Sequence, residues 1–136
     1  MTVFLDANII FSAAQTGSPC RQLLEALGRH AALLTHPAVW LEAERNLQAK
    51  RPSWLPGLTS LRALLRLHAV LGPCPEVGLP AKDQPVLAAA LAARADRFLT
   101  GDRTHFGPLF GQAVQGLKIL CTRMMAEEMK ANGWIP

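Results

Sequence analysis

Ten carboxylates in 136 residues are few enough for their positions to be informative: Asp6, Glu25, Glu42, Glu44, Glu76, Asp83, Asp96, Asp102, Glu127 and Glu128. Asp6 closes a short apolar run, Thr2 to Leu5, and Asp102 stands just past a second one, Arg97 to Thr100. Asp83 opens an alanine-rich stretch, and Glu42 lies near the start of another segment with helical spacing. If the two runs are parallel strands, Asp6 and Asp102 lie at the carboxyl ends where open α/β sheets keep their ligand crevice. Asp83 and Glu42 then face the same rim, and four carboxylates from four separated segments share one cavity. Like charges packed that closely repel, and some must keep a proton unless a cation compensates them. Oxygen donors without thiolates suit magnesium or manganese (Mg2+ or Mn2+) better than zinc. Such a cation activates water and steadies charge on a phosphoryl group, so the chemistry indicated is metal-assisted phosphodiester hydrolysis. Each acid alone has an ordinary alternative. Asp6 would cap a loop, Asp83 a helix start, Glu42 and Glu44 would pair with Arg45 or Lys50, and Asp102 would stabilise the Gly101 turn. Asp96 precedes its strand, on the opposite rim, and is left out.

The elements that must position these acids follow from pattern. Thr2 to Leu5 reads as a buried parallel strand. Ser18 is an N-cap with Pro19 at the first helical position, and Cys20 to Leu27 reads as a helix stopped by Gly28. Ala31 to Thr35 is a second strand. Val39 to Lys50 is a helix with Trp40, Ala43 and Leu47 on one face. Leu58 to Val70 reads as a further helix, with Leu61, Leu64, Leu65 and Leu71 facing inward. A short strand is expected near Leu71 to Cys74. Asp83 to Ala95 is an alanine-rich helix, Arg97 to Thr100 a strand, Leu117 to Leu120 the last strand, and Thr122 to about Lys130 the last helix. The alternation predicts a single α/β domain over residues 1–136: a three-layer α/β/α arrangement with a mostly parallel central sheet of four or five strands.

Composition narrows the classes. Half of the residues are hydrophobic and 18% are charged, enough to bury a core and too apolar for a disordered tail. The formal charge of +4 permits an anionic partner without requiring one. Without the four rim acids, six acids face 14 basic residues, which favours attraction of a nucleic acid around an acidic pocket. Aromatics are 6% and tyrosine is absent, which weighs against base-stacking RNA modules. Cys20, Cys74 and Cys121 are odd in number and far apart, which argues against a disulfide scaffold and for a reducing, cytoplasmic setting. No apolar run approaches the ~18 residues of a membrane span. Asp6 interrupts the first apolar stretch, so no signal peptide is expected.

Residues 3–13 (VFLDANIIFSA), 42–47 (EAERNL), and 82–90 (KDQPVLAAA) running on to 98–106 (FLTGDRTHF) occur in the order seen in a known family. The chain resembles the PIN-domain nucleases, particularly the VapC-like toxins of bacterial and archaeal toxin–antitoxin systems. Each motif is short; the order of all three, over nearly the whole chain, carries the resemblance. It implies a PIN-like fold and an endoribonuclease that hydrolyses RNA by a metal-activated water, leaving a 5′-phosphate and a 3′-hydroxyl. It implies that Asp6, Glu42, Asp83 and Asp102 hold one or two magnesium or manganese ions, with Glu44 the alternative to Glu42. Asn8 would fix the first loop and orient Asp6, and Thr100 would hydrogen-bond within the acidic cluster. An RNA substrate, a cognate antitoxin and a homodimer are the partners implied.

One departure stands out. Many members carry another acid shortly after the Thr-Gly-Asp segment, where this chain has Arg103, Thr104 and His105. Arg103 is read as a substrate contact because it adjoins Asp102. His105 would contact substrate phosphate, join the metal shell or serve the structure. A PIN-like module that binds RNA or a partner without cutting is the alternative reading. A phosphate-binding α/β protein of another family ranks third, because no glycine-rich phosphate loop is present.

Overall fold

Val3, Phe4 and Leu5 are all fully buried, although successive strand side chains point to opposite faces of a sheet. The strand β1 (Thr2–Leu5) is therefore covered on both sides, as an interior parallel strand must be. A computed structural model describes all 136 residues. After β1 come α1 (Ala7–Ala13), α2 (Pro19–Leu27), β2 (Ala32–Thr35) and α3 (Pro37–Lys50). Then follow α4 (Leu55–Leu61), β3 (Arg66–Leu67), α5 (Gln84–Ala92), β4 (Arg97–Leu99), β5 (Ala113–Val114), β6 (Leu117–Leu120) and α6 (Thr122–Ala131). The sheet order is β3-β2-β1-β4-β6-β5, with every pair parallel except β5 with β6. No helix is long and apolar enough to cross a membrane.

This is the expected α/β architecture with a mostly parallel central sheet, but the sheet has six strands where four or five were expected. The difference lies in two edge strands of two residues each, β3 and β5. β5 joins β6 through Gln115 and Gly116, both at positive φ, the two-residue turn that matches strand twist. The helix expected over Leu58 to Val70 is shorter. It ends as α4 at Leu61, continues as one 3-10 turn (Arg62–Leu64), and gives way to β3. Leu61 and Leu65 are buried as expected, yet Leu71 is 57% exposed, and no strand forms over Leu71 to Cys74. The segment after Asp6 is a helix, α1, rather than a loop. Ser18 does cap α2, accepting from the Arg21 N–H, with Pro19 at the first helical position.

The sheet grows outward from β1 in opposite directions, towards β2 and β3 on one side and towards β4, β6 and β5 on the other. The carboxyl ends of β1 and β4 thus border the point where the connections diverge, which is where an open parallel sheet leaves a crevice. α1 leads away from that point and packs against α2, α3 and α4.

A buried arginine ties down the far end of α1. The Arg21 guanidinium donates to the carbonyl of Ala13 at 3.2 Å, the carbonyl of Gly57 at 3.1 Å and the hydroxyl of Ser60 at 2.8 Å. Glu25 lies 3.2 Å from its Nε. The α1 terminus and α4 approach so closely that a Cβ built on Gly57 would lie 1.8 Å from the Ala14 carbonyl oxygen. Only a backbone shift relieves such an overlap, so Gly57→Ala should destabilise the protein by about 3 kcal/mol. Gly72→Ala, whose Cβ would meet Ala92 Cβ at an ordinary 3.6 Å, should change stability little. Urea unfolding of both variants checks the contrast.

Candidate metal centre

Asp6 leaves the end of β1 and caps α1, its Oδ1 accepting from the Ala7 N–H at 2.8 Å. Its other oxygen, Oδ2, accepts from the Thr100 hydroxyl at 2.7 Å and from the Asn8 side-chain amide at 3.2 Å. Thr100 directly follows β4, the strand paired with β1, so the two groups meet because their strands are neighbours. The Thr100 oxygen also accepts from the Asp102 N–H at 3.1 Å. The Asn8 side-chain oxygen accepts from the Gly101 N–H at 2.7 Å. Asn8 therefore stitches the first turn of α1 to the Thr-Gly-Asp turn, from within a helix and not from a loop.

Asp6 is only 8% exposed. Burial holds its carboxyl above the ordinary value of 3.8. The hydrogen bonds from Thr100, Ala7 and Asn8 pull it down, and the Glu42 charge adds to the upward push.

Glu42 projects from α3 and Asp83 ends a single 3-10 turn (Ala81–Asp83) before α5. Asp6, Asn8, Glu42, Asp83 and Asp102 line one cleft of about 440 Å3. Glu44 does not line it, because two residues on a helix turn a side chain well away from the first position. Asp96 is at the opposite rim, where it accepts from the Thr2 N–H at 2.8 Å.

His105 is drawn into the acids by the turn that Asp102 starts. Asp102 Oδ1 accepts from the His105 N–H at 3.0 Å, and the Asp102 carbonyl from the Phe106 N–H at 3.1 Å. Phe106 is fully buried and packs on Phe98 with ring centroids 5.0 Å apart. The turn places the third residue after Asp102 beside it. The His105 Nδ1 lies 3.0 Å from Asp102 Oδ2 and 3.0 Å from Asp83 Oδ2. The same turn leaves Arg103 exposed and outside the lining of the cleft.

Four further polar residues line the cleft, Ser12, Asn46, Lys50 and Lys82, and were not singled out as a group from sequence. Asn46 and Lys50 lie one and two turns beyond Glu42 on the same face of α3, and Lys82 sits beside Asp83. The signal was the four-residue spacing 42, 46, 50, which puts an acid, an amide and a base in one stripe.

The donor set fits a hard or borderline divalent cation. Asp83 Oδ2 is buried and accepts no well-formed hydrogen bond, because one imidazole N–H cannot align on two carboxylates. One donor atom from each of Asp83, Asp102 and His105 lies within 4.8 Å of the other two. Oxygen donors predominate and cysteine is absent from the cleft.

In the chelator-treated protein, the Asp6 carboxyl carbon should titrate above 3.8 in a 13C NMR experiment. Because the native state then holds that proton more tightly than the unfolded chain, this stability contribution is complete below 3.8 and is lost as pH rises through the native titration. Thr100→Val removes the hydroxyl and should raise the titration further and cost about 2 kcal/mol. An Asp6 titration at or below 3.8 in the chelator-treated protein would contradict this account.

No protein-family model matches the chain, and no curated protein matches it by sequence. Among solved structures, it is similar to a chain in the crystal structure of VapBC2 from Rickettsia felis bound to a DNA fragment from their promoter. The TM-score is 0.66 at 15% identity, over 89% of this chain and 98% of that one. At that identity the likeness speaks for the fold, which is PIN-like.

Proposed function

We propose that the protein is a divalent-metal-dependent endoribonuclease, the toxin half of a toxin–antitoxin pair. The observation that carries this reading is the convergence of Asp6, Glu42, Asp83 and Asp102, from four separated segments, on one cleft. Asp6, Glu42, Asp83 and Asp102 would hold magnesium or manganese. When bound, the cation supplies charge compensation for the carboxylates and for a phosphoryl group, and makes water a competent nucleophile near neutral pH. The chain's own residues do the rest. Thr100 and Asn8 fix the Asp6 carboxylate, so that little reorganisation is needed on binding. Lys50 and Lys82, at the cleft wall, attract and orient the phosphate backbone. No side chain need attack the phosphorus.

The likeness to VapBC2 supports an antitoxin as partner. The resemblance read from the sequence adds an RNA substrate, a homodimer and a cytoplasmic setting to the proposal.

The test is cleavage of a mixed structured RNA pool with EDTA, magnesium or manganese. Cutting should require the metal, leave 5′-phosphate ends, and fall about 100-fold or more in Asp6→Asn, as befits damage to a metal site. Lys50→Ala and Lys82→Ala should each weaken RNA binding and lower its salt slope by about 1. Cutting that survives both EDTA and Asp6→Asn would overturn the reading. RNA binding with no cutting under any metal would replace it with the binding-module alternative.

A further inference from the structure

Two of the acids that line the cleft, Asp83 and Asp102, share an imidazole nitrogen that a purely acidic site would lack. We infer that His105 is a metal ligand through Nδ1, giving this site a mixed nitrogen and oxygen donor set that favours manganese over magnesium; the inference rests on the metal site proposed above. Three observations carry it. First, Nδ1 stands 3.0 Å from carboxylate oxygens of both Asp83 and Asp102, so the three donor atoms are close enough together to share one ion. Second, Asp83 Oδ2 is buried without a well-formed hydrogen bond, so the histidine does not by itself satisfy the pair. Third, the ring is held in place from its own backbone. The His105 N–H binds Asp102 Oδ1, and the next residue, Phe106, is locked in the core. The side chain is 27% exposed, so the imidazole is largely covered where it meets the two acids.

Coordination uses the Nδ1 lone pair, so the ligating tautomer carries its proton on Nε2. Imidazole suits transition metals, whereas magnesium prefers oxygen and sheds water reluctantly. His105 thus biases the choice between two ions that an all-carboxylate cleft would both accept.

The experiment uses the full chain, stripped with chelator and loaded with Mn2+ alone. Pulsed EPR of the bound ion should show 14N coupling from an imidazole in the wild type, and His105→Gln should abolish it. Calorimetric titration should give a loss of about 10-fold or more in Mn2+ affinity for His105→Gln. His105→Asp, which restores an oxygen donor, should shift the Mn2+ to Mg2+ affinity ratio at least about 10-fold towards magnesium. Circular dichroism of the metal-free variants confirms folding, and the Asp variant keeps the test open if the Gln variant is unstable. Mn2+ that binds with no 14N coupling, or with coupling unchanged in His105→Gln, overturns the histidine assignment and leaves the metal site standing. Failure of Mn2+ and Mg2+ to bind at all overturns both readings.

Discussion

A carboxylate carried to the inner end of a central strand must be solvated by something other than water. Asp6 is in that position, and the surrounding cleft is arranged to supply it with donors. The Ala7 N–H comes from its own helix start, the Thr100 hydroxyl from the neighbouring strand end, and the amide from Asn8 two residues on. Burial still outweighs these donors in setting the affinity of Asp6 for its proton. A cation held by the acids, as proposed, would relieve that imbalance more completely than a neutral donor.

The same helix meets a second buried charge at its other end. Arg21 resolves its own burial with two backbone carbonyls and a hydroxyl, and so binds α1 to α4. α1 is thus fastened at the front by an acid and at the back by a base, and neither is paired with the other. The front end can then hold Asp6 and Asn8 steady against the Thr-Gly-Asp turn, because the helix behind them is anchored in the core.

Sequence patterns revealed much of this architecture where a local rule agreed with the tertiary structure. Ser18 and Pro19 mark α2 because cap and first-turn chemistry act within a few residues. The strand ends at Asp6 and Thr100 were legible from apolar runs that stop abruptly. α1 was not, because seven residues with Ile9 and Ile10 side by side carry no clear helical stripe. The leucines after Leu58 keep helical spacing through a helix, a 3-10 turn and a strand, so periodicity overran the true boundary at Leu61. The grouping of four acids on one rim was readable from topology. The turn that selects His105 over Arg103 was not, since it depends on the backbone hydrogen bonds of Asp102 and on the burial of Phe106.

The position of β1 bears on how the chain reaches its final form. One neighbour, β2, is near in sequence, but the other, β4, lies far along it, and the Asp6 to Thr100 contact at that junction spans 94 positions. The contacts that gather α1, α2 and α4 are much nearer, with Arg21 and Gly57 separated by 36. Loop closure must be met before distant strand pairing is rewarded, so local helix contacts form early and the β1–β4 junction late. The acid cleft straddles that junction. It cannot form before Thr100 and Asp102 have been made, so a chain emerging from the ribosome stays without it for most of its synthesis.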